Sequence, residues 1–215
     1  MSGFDRRTLL TGLLAPLAVS AAPPPSAWRP LLNGKNLDGW EQIGDGVWSV
    51  MSDGTLLGDR KPKESHDQAW VYTKEEFGEF DLELEYWTRL GGNSGVTLRD
   101  HTRAKYAVYP NHDRERTPSH NGYEIQIYNL DTPVKYATGS IYLFAESKGV
   151  VQKTGDWNLL EIQSRNDTIR VLVNGKLVCE HPGDPARPKT GPIGLQLHDK
   201  ASVAMFRNIR IRELR

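Results

Sequence analysis

Phe80-Asp81-Leu82-Glu83-Leu84-Glu85-Tyr86 alternates without a slip: four apolar or aromatic residues are separated by three acidic ones. Successive side chains of a β-strand point to opposite faces. The stretch therefore predicts a strand with Phe80, Leu82, Leu84 and Tyr86 in a core and Asp81, Glu83 and Glu85 in water, as in an antiparallel sheet solvated on one side. The same period continues on both sides of it. Trp48 to Met51 and Thr55 to Leu57 flank the turn Ser52-Asp53-Gly54, and Arg170 to Val173 and Lys176 to Cys179 flank Asn174-Gly175, a strong hairpin signal. Further strands are predicted at 69–73, 94–99, 122–128, 139–144, 157–164, 192–198 and 202–212. In the last, the apolar phase changes around Arg207-Asn208, which predicts a bulge. Many short strands with turn signals, and no helices between them, indicate an all-β fold: a two-sheet antiparallel β-sandwich of the jelly-roll kind.

The chain has 215 residues, enough for one large core and too few for two large domains. Residues 28–215 read as a single sandwich domain. Lys+Arg and Asp+Glu number 27 each, so the net charge is zero. That balance argues against a nucleic-acid partner, which calls for a basic stripe. Arg165, Arg170, Arg207, Arg210, Arg212 and Arg215 read as residues of solvated strand faces. Six Trp and eight Tyr leave aromatics over for a binding surface. Residues 1–27 are of another kind. Arg6-Arg7 precede the apolar run Leu13 to Val19, then Ser20-Ala21-Ala22 and Pro23-Pro24-Pro25. This reads as a twin-arginine-type signal peptide and a Pro-rich linker, and predicts a periplasmic or secreted protein. The apolar run is shorter than the roughly 20 residues a bilayer span needs, so no span is expected in the mature chain. Cys179 is the only cysteine and reads as a strand-buried thiol, which excludes an intrachain disulfide.

Residues 100–121 form a long polar insertion between two strong strands and contain His101, His112 and His120. Loops of that length usually have a role, so a flap over a site is expected. Residues 181–191, with Pro182, Pro185 and Pro188, read as a rigid crossover. Three strands carry chemistry on the face opposite the core. Alternation places Glu124, Gln126 and Tyr128 there from 122–128, Asn93, Thr97 and Arg99 from 92–99, and Gln196 and His198 from 194–198. Amides and planar charged groups suit vicinal hydroxyls, and Tyr128, Tyr142 or Trp157 could cover the apolar side of a pyranose. The expected partner is a saccharide or glycoside.

The motifs Asn33-Gly34-Lys35-Asn36-Leu37-Asp38-Gly39-Trp40, Gly92-Asn93-Ser94-Gly95-Val96, Gly122-Tyr123-Glu124-Ile125-Gln126, Thr138-Gly139-Ser140-Ile141-Tyr142 and Gly194-Leu195-Gln196, with His198, occur in that order. In this the chain resembles the bacterial 3-keto-disaccharide hydrolase domain family, a branch of the concanavalin A-like lectin/glucanase sandwiches. The resemblance implies a hydrolase acting on glycosidic bonds, and a sugar 3-dehydrogenase acting upstream. Glucanases of this sandwich type commonly place carboxylates at i, i+2 and i+4 of one strand, the pair that ordinary glycoside hydrolysis requires. Here that face reads Glu124, Gln126, Tyr128, with one carboxylate, unless Asp199 or Glu161 reaches across. A 3-keto sugar needs less, because the carbonyl acidifies the neighbouring C–H: one base, a stabiliser of the enolate and a donor to the leaving group suffice. On this reading Glu124 or His198 is the base and Arg99 steadies the oxyanion. Asn93, Gln126, Tyr128, Gln196 and Tyr142 bind substrate, with Tyr128 or a flap histidine assisting departure. A divalent metal ion on Glu124 and His198 would replace or reinforce Arg99. The alternatives are a non-catalytic carbohydrate-binding module of the same fold and a purely structural domain.

Overall fold

The computed structural model describes residues 27–60, 68–130, 132–149 and 151–214. Apart from Ala27, the signal and linker reading lies outside the described residues. Among the described residues thirteen strands follow in chain order. They are β1 (Arg29–Pro30), β2 (Trp40–Ile43), β3 (Gly46–Val50), β4 (Leu56–Arg60), β5 (Ala69–Thr73), β6 (Phe80–Thr88) and β7 (Asn93–Leu98), then β8 (Tyr123–Tyr128), β9 (Asn158–Arg165), β10 (Thr168–Val173), β11 (Lys176–His181), β12 (Ile193–Leu197) and β13 (Ala204–Glu213). The larger sheet has the order β11-β10-β9-β6-β13-β4-β3, with β1 also paired to β13, and the smaller one the order β2-β5-β12-β7-β8. Every strand pairing is antiparallel.

The core lies between the sheets. β6 contributes Phe80, Leu82, Leu84 and Tyr86, none more than 1% exposed, against Val96, Leu98, Ile125, Ile127 and Leu195 of the smaller sheet. Asp81 departs from the sequence expectation. It is buried on the outer face because Arg165 Nε (2.9 Å) and Arg212 Nη2 (2.6 Å) fold over it. Such bidentate pairing is what makes a buried carboxylate tolerable. Asn174 and Gly175 have φ of 50° and 75°, the left-handed pair of a type I′ hairpin, and join β10 to β11. The bulge in β13 falls between Arg207 and Arg210, with Asn208 at φ 53°. Cys179 is a buried free thiol.

Two further expectations change. Segment 139–144 forms no regular strand. Ile141 bridges Ile125 and Ala145, and the chain folds back on itself through paired Ile141–Ala145 backbone hydrogen bonds of 2.9 Å, with Leu143 at φ 71°. The strand expected to run through Arg99 ends at Leu98, since Arg99 has φ 62°. Insertion 100–121 does fold over the outer face of the smaller sheet. Ala104 and Ala107 pack on Trp70 and Tyr72 there, in a cluster separate from the main core. Arg103 pins this flap to Glu41 Oε1 (2.8 Å) and to the Thr73 carbonyl (2.6 Å). Among the described residues no helix is long and apolar enough to cross a membrane.

Candidate active site

The pairing register arranges the outer face of the smaller sheet in rows. Glu41, Tyr72, Gly194, Thr97 and Glu124 stand side by side across β2, β5, β12, β7 and β8. The next row holds Ile43, Trp70 and Gln196, then Gly95 and Gln126. The third has Asn93 opposite Tyr128, with the His198 backbone N–H on the Asn93 carbonyl at 3.4 Å. Burial grades along these rows. Thr97, Glu124, Gln196 and Gln126 are buried beside the flap, whereas Asn93, Tyr128 and His198 are only partly covered. The face is therefore open to solvent at the third row.

Glu124 lies at the closed end, 4% exposed, and its Oε1 accepts 2.8 Å from Gln196 Nε2. Burial pushes its carboxyl up from the ordinary 4.5 to about 7; the Gln196 donor opposes the rise and the charge of Asp100 adds to it. Room for this pair comes from Gly95, where a Cβ would meet Glu124 Oε1 at 3.1 Å and Gln196 Oε1 at 3.3 Å. Gln126 Nε2 donates to Asn93 Oδ1 at 3.2 Å. Tyr142 follows the Ile125–Ile141 bridge, and its N–H donates to the Glu124 carbonyl at 2.8 Å. That register sets it beside Glu124 at the β8 edge, with its ring 4.7 Å from that of Tyr136. His198 Nδ1 is 3.7 Å from Asp199 Oδ2. Burial lowers its pKa, Asp199 works against that, and Arg60 adds to the lowering.

Of the residues expected at the site, Asn93, Glu124, Gln126, Tyr128, Tyr142, Gln196 and His198 share this face, and Arg99 does not. Its Nη2 donates to Ser164 Oγ of β9 at 2.8 Å and to the Gly78 carbonyl at 3.3 Å, with Asp167 3.6 Å away. The physical reason is the left-handed backbone at Arg99, which breaks the alternation one residue past the strand end. Gly191 passes close by, where a Cβ would stand 2.6 Å from Arg99 Cα. Trp157 also lies elsewhere, under the Arg207 guanidinium at 4.1 Å on the larger sheet. Glu161 belongs to that sheet, in register with Glu83. His101 pairs with Glu76 at 3.5 Å and His120 Nδ1 with Thr117 Oγ1 at 2.9 Å. A divalent ion shared by Glu124 and His198 does not fit the register. His198 is four residues beyond Gly194, the row of Glu124, which is about 13 Å along the strand. Among the described residues no three His, Cys, Asp or Glu side chains are grouped to hold a metal.

Asp100 was outside the sequence reading. Fully buried under the flap, it accepts from Tyr72 Oη (2.8 Å), Thr102 N and Oγ1 (3.0 and 2.7 Å) and Ala104 N (2.8 Å). Two donors on each oxygen leave it no free lone pair for chemistry, although its charge acts on Glu124. Trp70 and Tyr72 were missed as site walls. The signal was there: Ala69 to Thr73 shows no polar alternation, and all five residues are buried, as in a strand covered on both faces.

A second concavity of about 850 Å³ lies on the larger sheet. Its lining includes Trp28, Asn33, Asp53, Glu83, Glu85 and Arg207.

The sequence profile of the 3-keto-alpha-glucoside-1,2-lyase-like domain matches residues 27–212. A Parabacteroides distasonis protein described as a candidate glycosyl hydrolase is 30% identical and superposes with a TM-score of 0.67, over 87% of this chain and 100% of its own. The Bacillus licheniformis beta-glucanase shares the fold at 13% identity and a TM-score of 0.54, over 89% of this chain and 99% of its own. So does the carbohydrate-binding module CBM66 of Bacillus subtilis, at 17% identity and a TM-score of 0.53, over 80% and 93%. No curated protein sequence matches the chain.

Proposed function

Because the chain belongs to the 3-keto-alpha-glucoside-1,2-lyase-like domain family, we propose that it cleaves 3-keto-glycosides by elimination across C1 and C2, followed by addition of water. The observation that carries this reading is Glu124, a buried carboxyl held near pKa 7, whose buried acidic neighbour Asp100 is fully occupied by donors. Hydrolysis through a carboxyl pair requires a second free acid about 5–9 Å away. Elimination requires one base, and a base near pKa 7 is matched to neutral pH.

In the proposed reaction Glu124 removes the C2 proton, and the C–H electron pair passes into the C2–C3 bond while the C3 carbonyl becomes an enolate. The enolate collapses, the C1–O bond breaks, and a C1=C2 double bond remains conjugated with the restored ketone. The departing alkoxide takes a proton at the open end, from Tyr128. Water then adds its oxygen to C1 and gives one proton back to the deprotonated Tyr128, while the protonated Glu124 returns its proton to C2. Gln126, whose Nε2 keeps one hydrogen beyond that given to Asn93, takes over the oxyanion role expected of Arg99. The substrate must come from oxidation at C3, the work of a sugar 3-dehydrogenase upstream. On the leader reading the protein acts after export.

Replacing Glu124 by Gln is the test. Release of product from a 3-keto-glucoside should fall at least about 100-fold with the fold intact; undiminished turnover overturns the assignment. Unoxidised glycosides should stay uncleaved. The groove beside Trp28 favours a second reading, sugar binding without cleavage. In that case Trp28→Ala abolishes glycan retention, Glu124→Gln leaves it unchanged, and no keto-sugar is cleaved.

A further inference from the structure

Gln196 is fully buried, yet its two amide atoms are in different states. Nε2 donates to Glu124 Oε1 at 2.8 Å, while Oε1, also buried, has no hydrogen-bond partner among the described residues. A buried carbonyl left without a donor is costly, so its place beside the proposed base calls for an explanation. The orientation is dictated by its neighbour. Reversing the amide would set Oε1 against a carboxylate oxygen, so an ionised Glu124 holds Nε2 toward itself and leaves Oε1 as a pure acceptor. Glu124 Oε1 and Gln196 Oε1 stand 3.1 and 3.3 Å from the one point where a Gly95 side chain would begin. The base and the free acceptor thus lie side by side over the Gly95 backbone.

We infer that Gln196 Oε1 accepts the hydroxyl hydrogen on the carbon that Glu124 deprotonates, so that the protein selects sugars with a free 2-hydroxyl. The inference rests on the elimination reading, in which that carbon is C2. A C–H directed at Glu124 and an O–H directed at Gln196 sit on one tetrahedral carbon, which suits two oxygens that lie side by side. The hydroxyl in turn locks the amide with Nε2 on Glu124, favouring the ionised base when substrate is present. Gln196 is a positioning and specificity residue, and Glu124 alone moves the proton.

The test compares a 3-keto-glucoside with its 2-deoxy and 2-O-methyl analogues, in the wild type and in Gln196→Met. A site built to pair a hydroxyl rejects analogues lacking it strongly, so wild-type kcat/KM should fall at least about 100-fold for both. In Gln196→Met the preference should shrink to less than about tenfold, and the Glu124 limb of the pH–rate profile should move to higher pH, because a donor to the carboxylate is gone. Wild-type turnover of the 2-deoxy analogue at the rate of the parent overturns the inference, as does a preference that survives in Gln196→Met. Should no keto-glycoside turn over, the elimination reading fails by itself. Calorimetric binding of methyl glucoside against its 2-deoxy form then decides the role of Gln196, with equal affinities overturning it.

Discussion

Glu124 has an effect on stability as well as a proposed part in catalysis. Its folded pKa of about 7 exceeds the ordinary 4.5. The sign follows from linkage: between those values the unfolded chain gives up a proton that the folded chain keeps, so stability falls as pH rises from about 4.5 to 7 and is level beyond. The shift corresponds to a cost of about 3 kcal/mol above pH 7. Glu124→Gln should therefore be more stable than the wild type at pH 8 by up to about 3 kcal/mol and equal to it near pH 4. Denaturant titrations at the two pH values check this, and a difference independent of pH would contradict it. Arg99 provides the contrast. Its partners are Ser164, Gly78 and Asp167, so Arg99→Met should cost about 1–3 kcal/mol of stability while leaving turnover of any accepted glycoside within about twofold. A large loss of turnover without loss of stability would return Arg99 to the site. Alternation in the sequence located Glu124 because β8 is regular. It misplaced Arg99 because a single left-handed φ is invisible to a period-two pattern.

At the level of elements, the packing of this face depends on two adjacent strands giving up side chains on neighbouring rows. Gly194 of β12 lies against the Tyr72 ring, where a Cβ would come within 2.6 Å, and Gly95 of β7 lies under the Glu124–Gln196 pair. Gly95→Ala is expected to push that pair by a few tenths of an ångström. Turnover should drop by about tenfold, with under about 1 kcal/mol of destabilisation, since misplaced reacting groups cost more than the contact itself. Kinetics and thermal melts on one sample separate the two effects, and unchanged kinetics would mean the pair tolerates the shift. The flap was legible as an over-long polar insertion, but its anchoring was not. Arg103 reaching Glu41 and Thr73, and Asp100 reaching Tyr72, are contacts between residues about 28–62 positions apart in sequence. Segment 139–144 shows the same limit. Its alternation suits a strand, yet tertiary pairing at Ile141 with Ile125 and Ala145 turns it back on itself.

For the whole molecule, equal numbers of acidic and basic residues suit a neutral saccharide. KM for a neutral keto-glycoside should change by less than about twofold between roughly 0.05 and 0.5 M salt, because screening acts only where net charge steers the ligand. A steep salt dependence would point to a charged substrate. The sandwich itself was determined by the sequence alone. Strict alternation in Phe80 to Tyr86 and the Asn174-Gly175 turn are local in origin, and a core face with a water face leaves few ways to pair such strands. Family membership and the polar rows of Glu124, Gln126 and Gln196 were likewise readable along the chain. Tertiary structure decided which of those polar groups meet. It set Gln196 on Glu124, drew Asp100 under the flap, sent Arg99 to the far side and moved His198 out of reach of a shared ion. These outcomes depend on strand register, on backbone conformation at single residues and on the desolvation of one carboxyl, and each arises only when distant segments exclude water together.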